Sequence, residues 1–146
     1  MVYCFCFTNH SFARKGISFS FQGMPQTQFV FEGNIYRIRP GIGVCYDGKR
    51  SEGHLIIDND FIFKRSNKLK PFLGIGIKAS FIDQSYYSFY ETYIKRLAIE
   101  PNFGLQYNFN ENFTAFGNVR LSASYCGYEG FILQLGKTAV GFIFYK

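Results

Sequence analysis

The feature that most constrains the fold is an unbroken two-residue alternation in residues 97–109. Large apolar residues such as Phe103 and Leu105 occupy every second position, and polar or small residues such as Asn102, Gly104 and Gln106 lie between them. A strand places alternate side chains on opposite faces, whereas a helix would scatter the apolar groups around its axis. This segment is therefore predicted to be a long strand with one apolar and one polar face.

The same alternation recurs along the chain and predicts eight strands. It reappears directly after the short "NEN" turn and, earlier, in the stretch "KPFLGIGIKASF". The predicted strands are residues 16–22, 28–32, 35–47, 53–64, 70–82, 97–109, 112–125 and 131–144. An even number of strands brings both chain ends to the same side of a closed up-and-down barrel. The predicted fold class is therefore all-β, a closed antiparallel up-and-down barrel of about eight strands.

Composition agrees with an all-β chain of one domain. Aromatic residues make up 21% of the 146 residues, with 19 Phe and 11 Tyr but only 4 Pro, and such a composition favours strands. Apolar residues at 47% beside 18% charged residues exclude disorder. No apolar run approaches the roughly 20 residues that a membrane-spanning helix needs. If the chain crosses a membrane, we expect it to do so with strands.

Residues 1–13 are predicted to be the remnant of a truncated signal peptide. The apolar stretch at residues 2–7 precedes Ser11, Phe12 and Ala13, which resemble the small-x-small cleavage site of a secretory signal. No Lys or Arg precedes the apolar stretch, so the usual beginning of such a signal is missing. The alternative is an ordinary strand-forming or frayed N-terminus. The barrel domain is predicted to span residues 14–146.

The charged residues decide which face of the sheet points inward. An apolar interior would make a soluble lipocalin-like barrel, and an apolar exterior would make a membrane barrel. The polar face carries opposite charges on neighbouring strands, and buried charges are tolerated only when they are paired. The residues predicted to form this ion-paired lumen are Arg37, Arg39, Asp58, Asp60, Lys78, Glu100 and Arg120. We therefore predict a transmembrane barrel, with the alternative that these charges face water.

Nucleic acid, cofactors and metals are not expected. The net charge of +6 arises from cations that are scattered or concentrated in the turn "FKRSNKLK", rather than from a basic face. Four Cys residues show no metal-binding spacing with each other or with His. The one imidazole outside the predicted leader is His54, and Asp58 on the same strand is roughly 13 Å away at the usual strand rise. Catalysis is therefore disfavoured.

Three stretches of the C-terminal two thirds resemble the small eight-stranded outer-membrane β-barrel proteins, the porin-like and attachment-type barrels. They are "KPFLGIGIKASF", similar to a recurrent Pro-aromatic-x-Gly-x-Gly strand; "FGLQYNFNENFTAFGNVRLSASY", similar to a strand, Asn-rich turn and Arg-bearing strand; and "AVGFIF". The last resembles a closing strand, in which Val140, Phe142 and Phe144 would be read by the bacterial barrel-assembly machinery. The resemblance implies a bacterial outer membrane, with phospholipid and lipopolysaccharide around the barrel.

The expected function is non-enzymatic and depends on extracellular loops. We expect a role in envelope integrity, surface adhesion or host contact, with the longest connection, residues 83–96, as the contact loop. Its aromatic residues, Tyr86, Tyr87, Phe89, Tyr90 and Tyr93, would supply rigid contact area, unless the stretch merely prolongs two strands. The alternatives are a soluble barrel binding a small lipophilic ligand, a passive pore of low conductance, and a lipid-A-modifying or proteolytic barrel enzyme.

Overall fold

The chain folds into a closed barrel of eight antiparallel strands. A computed structural model describes residues 14–46, 51–63, 68–83, 93–126 and 130–146. The strands are β1 (Arg14–Phe21), β2 (Pro25–Glu32), β3 (Tyr36–Tyr46), β4 (Ser51–Ile62), β5 (Leu69–Asp83), β6 (Tyr93–Asn108), β7 (Phe113–Cys126) and β8 (Gly130–Tyr145). Each strand pairs with the next, and β1 pairs with β8. The predicted fold class, a closed antiparallel up-and-down barrel of eight strands, is confirmed.

The two faces of the wall differ as the alternation predicts. On β5, Leu73, Ile75 and Ile77 point outward and are 50–53% exposed. Inward-pointing Asp58 and Asp60 on the neighbouring β4 are fully buried. Among the described residues there is no helix long and apolar enough to cross a membrane. The apolar side chains therefore form the outer surface, and the polar side chains fill the interior.

The two ends of the barrel differ in their connections. At one end, called here the terminal rim, β1 begins, β8 ends and the connections after β2, β4 and β6 lie. At the other, called the loop rim, lie the β1–β2 turn and the connections after β3, β5 and β7. The predicted domain boundary at residue 13 and the predicted signal remnant fall on residues that lie outside the described part of the chain.

The hairpin of β1 and β2 is tighter than predicted. β2 begins at Pro25 rather than at residue 28, because Gly23 adopts a φ of +73° and the Gln22 N–H donates to the Met24 carbonyl at 3.1 Å. A positive φ costs glycine little, so three residues suffice to reverse the chain. Pro25 is tolerated at the first position of a strand, where no ladder bond is required of it.

Asn59 interrupts the apolar outer face, and the structure accounts for it. Its side chain points outward on β4, where the opposing residue on β3 is Ile38. The hydroxyl of Tyr36, which lies diagonally across on β3, donates a hydrogen bond to the Asn59 Oδ1 at 2.9 Å. The amide oxygen is therefore satisfied within the wall of the barrel, as a polar group on an apolar surface requires.

Strand lengths are unequal around the barrel. β1 and β2 contain 8 residues each, whereas β6 and β8 contain 16. β1 pairs with β8 only from Gly16 opposite Tyr145 to Phe21 opposite Val140. Residues 130–139 of β8 therefore continue beyond the end of β1, over roughly 30 Å of strand at the usual rise. The wall is lowest at the β1–β2 turn.

Candidate functional site

The centre of the lumen holds an ion-pair network that begins on β3 and β4. Arg37 lies opposite Asp60 in the β-ladder, and its Nε and Nη2 atoms lie 2.9 and 2.8 Å from the Asp60 Oδ2 atom. The Arg39 Nη2 atom is 3.0 Å from the same oxygen and 3.4 Å from the Asp58 Oδ2 atom. Two cations thus share two carboxylates on adjacent strands, which offsets the cost of removing these charges from water.

Arg120 on β7 extends the network across the barrel. Its Nη1 and Nη2 atoms donate to the two carboxylate oxygens of Asp58 at 2.7 and 2.8 Å, a bidentate arrangement. Its Nη1 atom is also 3.5 Å from the Glu100 Oε2 atom, and the Lys137 Nζ atom is 3.7 Å from Glu100 Oε1. Gln28 on β2 donates to Asp58 at 2.9 Å. The network therefore links strands on opposite sides of the lumen.

Glycines on β5 provide the space that the network occupies. Gly74 and Gly76 lie opposite Asp60 and Asp58, respectively. A Cβ atom at Gly76 would lie 2.6 Å from the Asp58 Oδ1 atom and 3.2 Å from the Arg120 Nη1 atom. The Gly-x-Gly stretch of β5 therefore allows the carboxylates to lie across the neighbouring strand.

Lys78 lies inside the lumen but apart from this network. It is 8% exposed and makes no hydrogen bond or close ion pair with another described residue. The nearest carboxylate on a neighbouring strand, Glu100, is paired with Arg120 and Lys137. The structure therefore brings together six of the seven predicted lumen residues and places the seventh nearer the loop rim.

An apolar layer lies between the network and the terminal rim, and sequence reasoning missed it. Its buried members are Val30, Ile62, Phe72, Phe116, Ile143 and Tyr145. The Arg39 guanidinium lies 4.7 Å from the centre of the Phe116 ring, and that of Arg37 lies 4.9 Å from the centre of Phe72. Such placement over a ring face is a cation–π contact. Phe116 and Ile143 could have indicated this layer, because both are apolar residues that interrupt the polar face of their strands in the sequence.

Tyr145 and Glu32 close the terminal side of this apolar layer. The Tyr145 hydroxyl donates to the Glu32 carboxylate at 2.5 Å, and Arg37 and Arg14 lie 3.7 and 3.5 Å from the same carboxylate. The Arg14 guanidinium also lies 3.6 Å from the centre of the Tyr145 ring. Glu32 was not predicted as a lumen residue, although the alternation of β2 places it on the inner face.

Cavities lie on both sides of these filled layers. One of about 440 Å³ at the terminal rim is lined by residues including Arg14, Lys68 and Tyr145. Another of about 190 Å³ lies toward the loop rim and is lined by residues including Lys78 and Lys137. The ion-pair network and the apolar layer fill the lumen between them, and their arginine and aromatic side chains are almost completely buried.

The other predicted residues lie at the surface or outside the described chain. Val140, Phe142 and Phe144 point outward from β8 and are 62%, 49% and 51% exposed. Around Phe144, the ring of Phe113 lies 5.0 Å away and that of Phe19 lies 6.3 Å away. Of the proposed contact loop, Tyr86, Tyr87, Phe89 and Tyr90 lie outside the described residues. Tyr93 begins β6, and its side chain is not described.

His54 does not form a catalytic pair within the described residues. It is 2% exposed, and neither ring nitrogen has a hydrogen-bond partner in that part of the chain. Its cross-strand neighbours are Gly43 and Ser80, neither of which hydrogen-bonds to it. Within the same described ranges, no group of three or more His, Cys, Asp or Glu side chains is arranged to hold a metal ion.

The fold, a closed eight-stranded barrel with an apolar outer face, is similar to that of the small eight-stranded outer-membrane β-barrels of known structure. The N-terminal β-barrel domain of Pseudomonas aeruginosa OprF is similar with a TM-score of 0.64 and 16% identity, over 91% of this chain and 96% of that one. Neisserial surface protein A is similar with a TM-score of 0.55 and 11% identity, over 90% and 92% of the two chains.

A de novo designed transmembrane β-barrel is also similar, with a TM-score of 0.50 and 11% identity over 91% of this chain and 92% of that one. No known protein family and no curated protein matches the sequence. At these identities the similarity shows the fold and not the activity. The resemblance predicted from the sequence is confirmed at the level of the fold.

Proposed function

We propose that this protein is an integral barrel of a bacterial outer membrane with a filled lumen, acting through its surface and loops rather than by catalysis. The observation that carries the proposal is the inversion of the usual burial pattern. Charged residues such as Arg37, Asp58 and Glu100 are fully buried, whereas Leu133 and Leu135 are 61% and 72% exposed. Lipid is the solvent in which such a surface is stable.

The dimensions of the wall support a membrane location. β3 to β8 contain 11 to 16 residues each, which equals or exceeds the roughly 9 to 11 that a tilted strand needs to cross a bilayer. Near the terminal rim, outward aromatic rings form a continuous cluster around Phe113, whose ring lies 5.1 Å from that of Phe109 and 5.6 Å from that of Phe142. Aromatic rings are common where a barrel meets the membrane interface.

The filled lumen supports a structural role over transport. The fully buried Arg37, Arg39 and Phe72 occupy the space that a solute would have to cross. An eight-stranded barrel encloses an interior only wide enough for side chains. We therefore propose little or no passive conductance. The same charged interior disfavours a soluble barrel that binds a small lipophilic ligand, because such a ligand requires an apolar lumen.

The partners proposed for this barrel follow from its surface. Outer-membrane phospholipid and lipopolysaccharide would contact the apolar outer face. The barrel-assembly machinery would read the closing strand through Val140, Phe142 and Phe144, which all lie on its exposed face. A host or surface ligand would bind residues 83–96. The name of Neisserial surface protein A places that similar barrel at a cell surface, which accords with this proposal.

The test is membrane fractionation combined with electrophoresis of the full chain, boiled and unboiled. We expect the protein in the outer-membrane fraction and a heat-dependent change in mobility, because a closed barrel resists detergent until heated. The matched control is the same chain unfolded in urea, which is expected to run at the boiled position without heating. A protein that is soluble without detergent and shows no shift would contradict the proposal and favour the soluble barrel.

A further inference from the structure

The wall of the barrel contains a lateral notch at the loop rim. Its floor is the β1–β2 turn, residues 22–24, and its sides are residues 44–46 of β3 and residues 130–139 of β8. Among the described residues, neither side has a pairing partner across the gap, because β1 and β2 stop at Phe21 and begin at Pro25. With 8 residues each, these two strands fall short of the roughly 9 to 11 needed to cross a bilayer.

A bulge in β8 increases the height of one side of the notch. Arg120 pairs with Lys137 and Ser122 pairs with Gln134, so β8 has one more residue than β7 in this interval. Gly136 supplies the extra residue with a φ of +76°. A glycine in this conformation is typical of a bulge that bends the strand. Beside it, Leu133 and Leu135 are among the most exposed apolar side chains of the outer face.

The cavity of about 190 Å³ lies directly behind the notch. Gln22, Gly23 and Met24 of the turn form part of its lining, together with Lys78 and Lys137 from the strands. The volume is that of a small polar headgroup and is too small for a whole lipid. The turn therefore belongs both to the lining of the cavity and to the floor of the notch, so the cavity borders the side at which the wall is low.

One cation of this cavity, Lys78, has no contacting carboxylate among the described residues and therefore favours an anionic ligand. The lining of the cavity holds the cations Lys78, Arg96 and Lys137 and the carboxylates Glu52 and Glu100. One of these carboxylates, Glu100, is also paired with Arg120, which lies outside the lining. Lys78 is 8% exposed and makes no hydrogen bond or close ion pair with another described residue. Glu100 and Glu52 attract it only from beyond ion-pair distance. A buried cation without a contacting partner is costly, and an anionic group in the cavity would supply that contact.

We propose that the notch admits an anionic single-chain amphiphile of the fatty-acid type from the surrounding lipid. Its carboxylate binds beside Lys78 in the cavity, and its acyl chain lies outside along the apolar face of β8 at Leu133 and Leu135. The inference rests on the proposed membrane location, since only a barrel in a bilayer exposes the notch to acyl chains. No covalent step is involved.

The test is an NMR titration of the full chain in neutral detergent micelles with laurate, at a pH at which laurate is ionised. We expect saturable shifts of the amide signals of Ser80 and Ser122, which lie at the cavity, and none at Thr114 near the terminal rim. Dodecanol carries the chain without the charge, and acetate carries the charge without the chain. Neither is expected to saturate the site.

Two variants at the cavity locate the binding site, and two further variants serve as controls. Lys78→Gln is expected to weaken laurate binding about tenfold, the usual effect of losing one hydrogen bond to a charged group. Gln22→Trp is expected to weaken it to a similar extent by filling the notch without changing charge. Lys68→Gln, in the cavity at the terminal rim, is the matched control and is expected to leave affinity unchanged. Lys78→Arg retains the cation and is expected to retain binding.

The outcomes separate this inference from the proposed function. A barrel that shows the heat-dependent mobility shift but does not bind laurate would overturn the notch site and leave the membrane barrel standing. Equal binding of dodecanol would overturn the role of the cation, and equal binding of acetate would indicate a site for free anions. Failure of the mobility shift in the unsubstituted chain would remove both proposals.

Discussion

Asp58 on β4 and Arg120 on β7 are joined across the lumen by two parallel hydrogen bonds of 2.7 and 2.8 Å. Both side chains are almost completely buried, at 0% and 1% exposure. The two strands are not neighbours in the sheet, so this pair connects parts of the wall that backbone hydrogen bonds do not join directly. Its contribution can be measured by removing either partner.

Asp58→Leu is expected to be strongly destabilising. It removes the bidentate carboxylate partner of Arg120 and the more distant of the two carboxylates beside Arg39. Breaking a buried pair in this way typically costs about 3 to 5 kcal/mol. The measurement is the free energy of unfolding in urea for barrels reconstituted in lipid vesicles. The matched control is Glu111→Gln at an exposed turn, which is expected to change little.

The double variant Asp58→Leu with Arg120→Met tests whether the loss comes from the unpaired charge. We expect it to be more stable than Asp58→Leu alone, since an apolar pair leaves one fewer uncompensated cation. If the losses of unfolding free energy measured for the two single variants simply add in the double variant, the two side chains do not interact, and the lumen network described above is incorrect.

Glu100→Leu is expected to be less damaging than Asp58→Leu. Arg120 keeps its two bonds to Asp58, and Lys137, whose side chain is 31% exposed, can reach water. A loss of about 1 to 3 kcal/mol is expected, typical of a buried group that loses one partner. Urea unfolding in vesicles gives the comparison, and an effect equal to that of Asp58→Leu would show that Glu100 is the centre of the network.

Gly76→Ala is expected to destabilise the barrel by about 1 to 3 kcal/mol, as overpacking of a filled interior does. The added methyl group would lie 2.6 Å from the Asp58 carboxylate and would displace it from Arg120. Gly117→Ala on β7 is the matched control, because the nearest atom to its added methyl group would be 3.8 Å away. Equal unfolding free energies for the two variants would contradict the close approach described here.

Phe116→Ala is expected to destabilise the barrel by about 3 to 5 kcal/mol through the cavity it leaves in the apolar layer. It also removes the ring face over which the Arg39 guanidinium lies. Planar-bilayer recording checks the second consequence. We expect no conductance steps for the unsubstituted chain and brief openings for the variant; large, stable openings in the unsubstituted chain would rule out the filled lumen.

Phe144→Ala tests the proposed assembly signal. We expect less mature barrel in the outer membrane of cells, while refolding of the purified chain into detergent proceeds with only a modest loss of stability. Phe131→Ala, on the same strand and outward face at 71% exposure, is the control and is expected to assemble normally. A defect that is equal in both settings would assign Phe144 a packing role with Phe113 instead.

The sequence by itself determined which side chains share a face, because a strand alternates with a period of two residues. That period predicted the eight strands and placed Arg37, Asp60 and Arg120 together on the polar side of the wall. It also predicted the bounds of the middle strands closely, because long alternating runs joined by tight turns such as "NEN" leave little freedom in where a strand begins or ends. The short β1 and β2 were predicted less accurately, because Pro25 and the residues after it resemble a loop.

Only the tertiary structure decided which inward side chains meet. Lys78 and Arg120 both lie on strands next to β6, but only Arg120 approaches Glu100 within ion-pair distance, because the register and the side-chain packing of the closed barrel decide which neighbours meet. The apolar layer of Phe72, Phe116 and Ile143 depends on the same register. The notch depends on how far β8 extends past β1. No local sequence pattern shows this, because the difference in length between β1 and β8 matters only once the two strands pair to close the sheet.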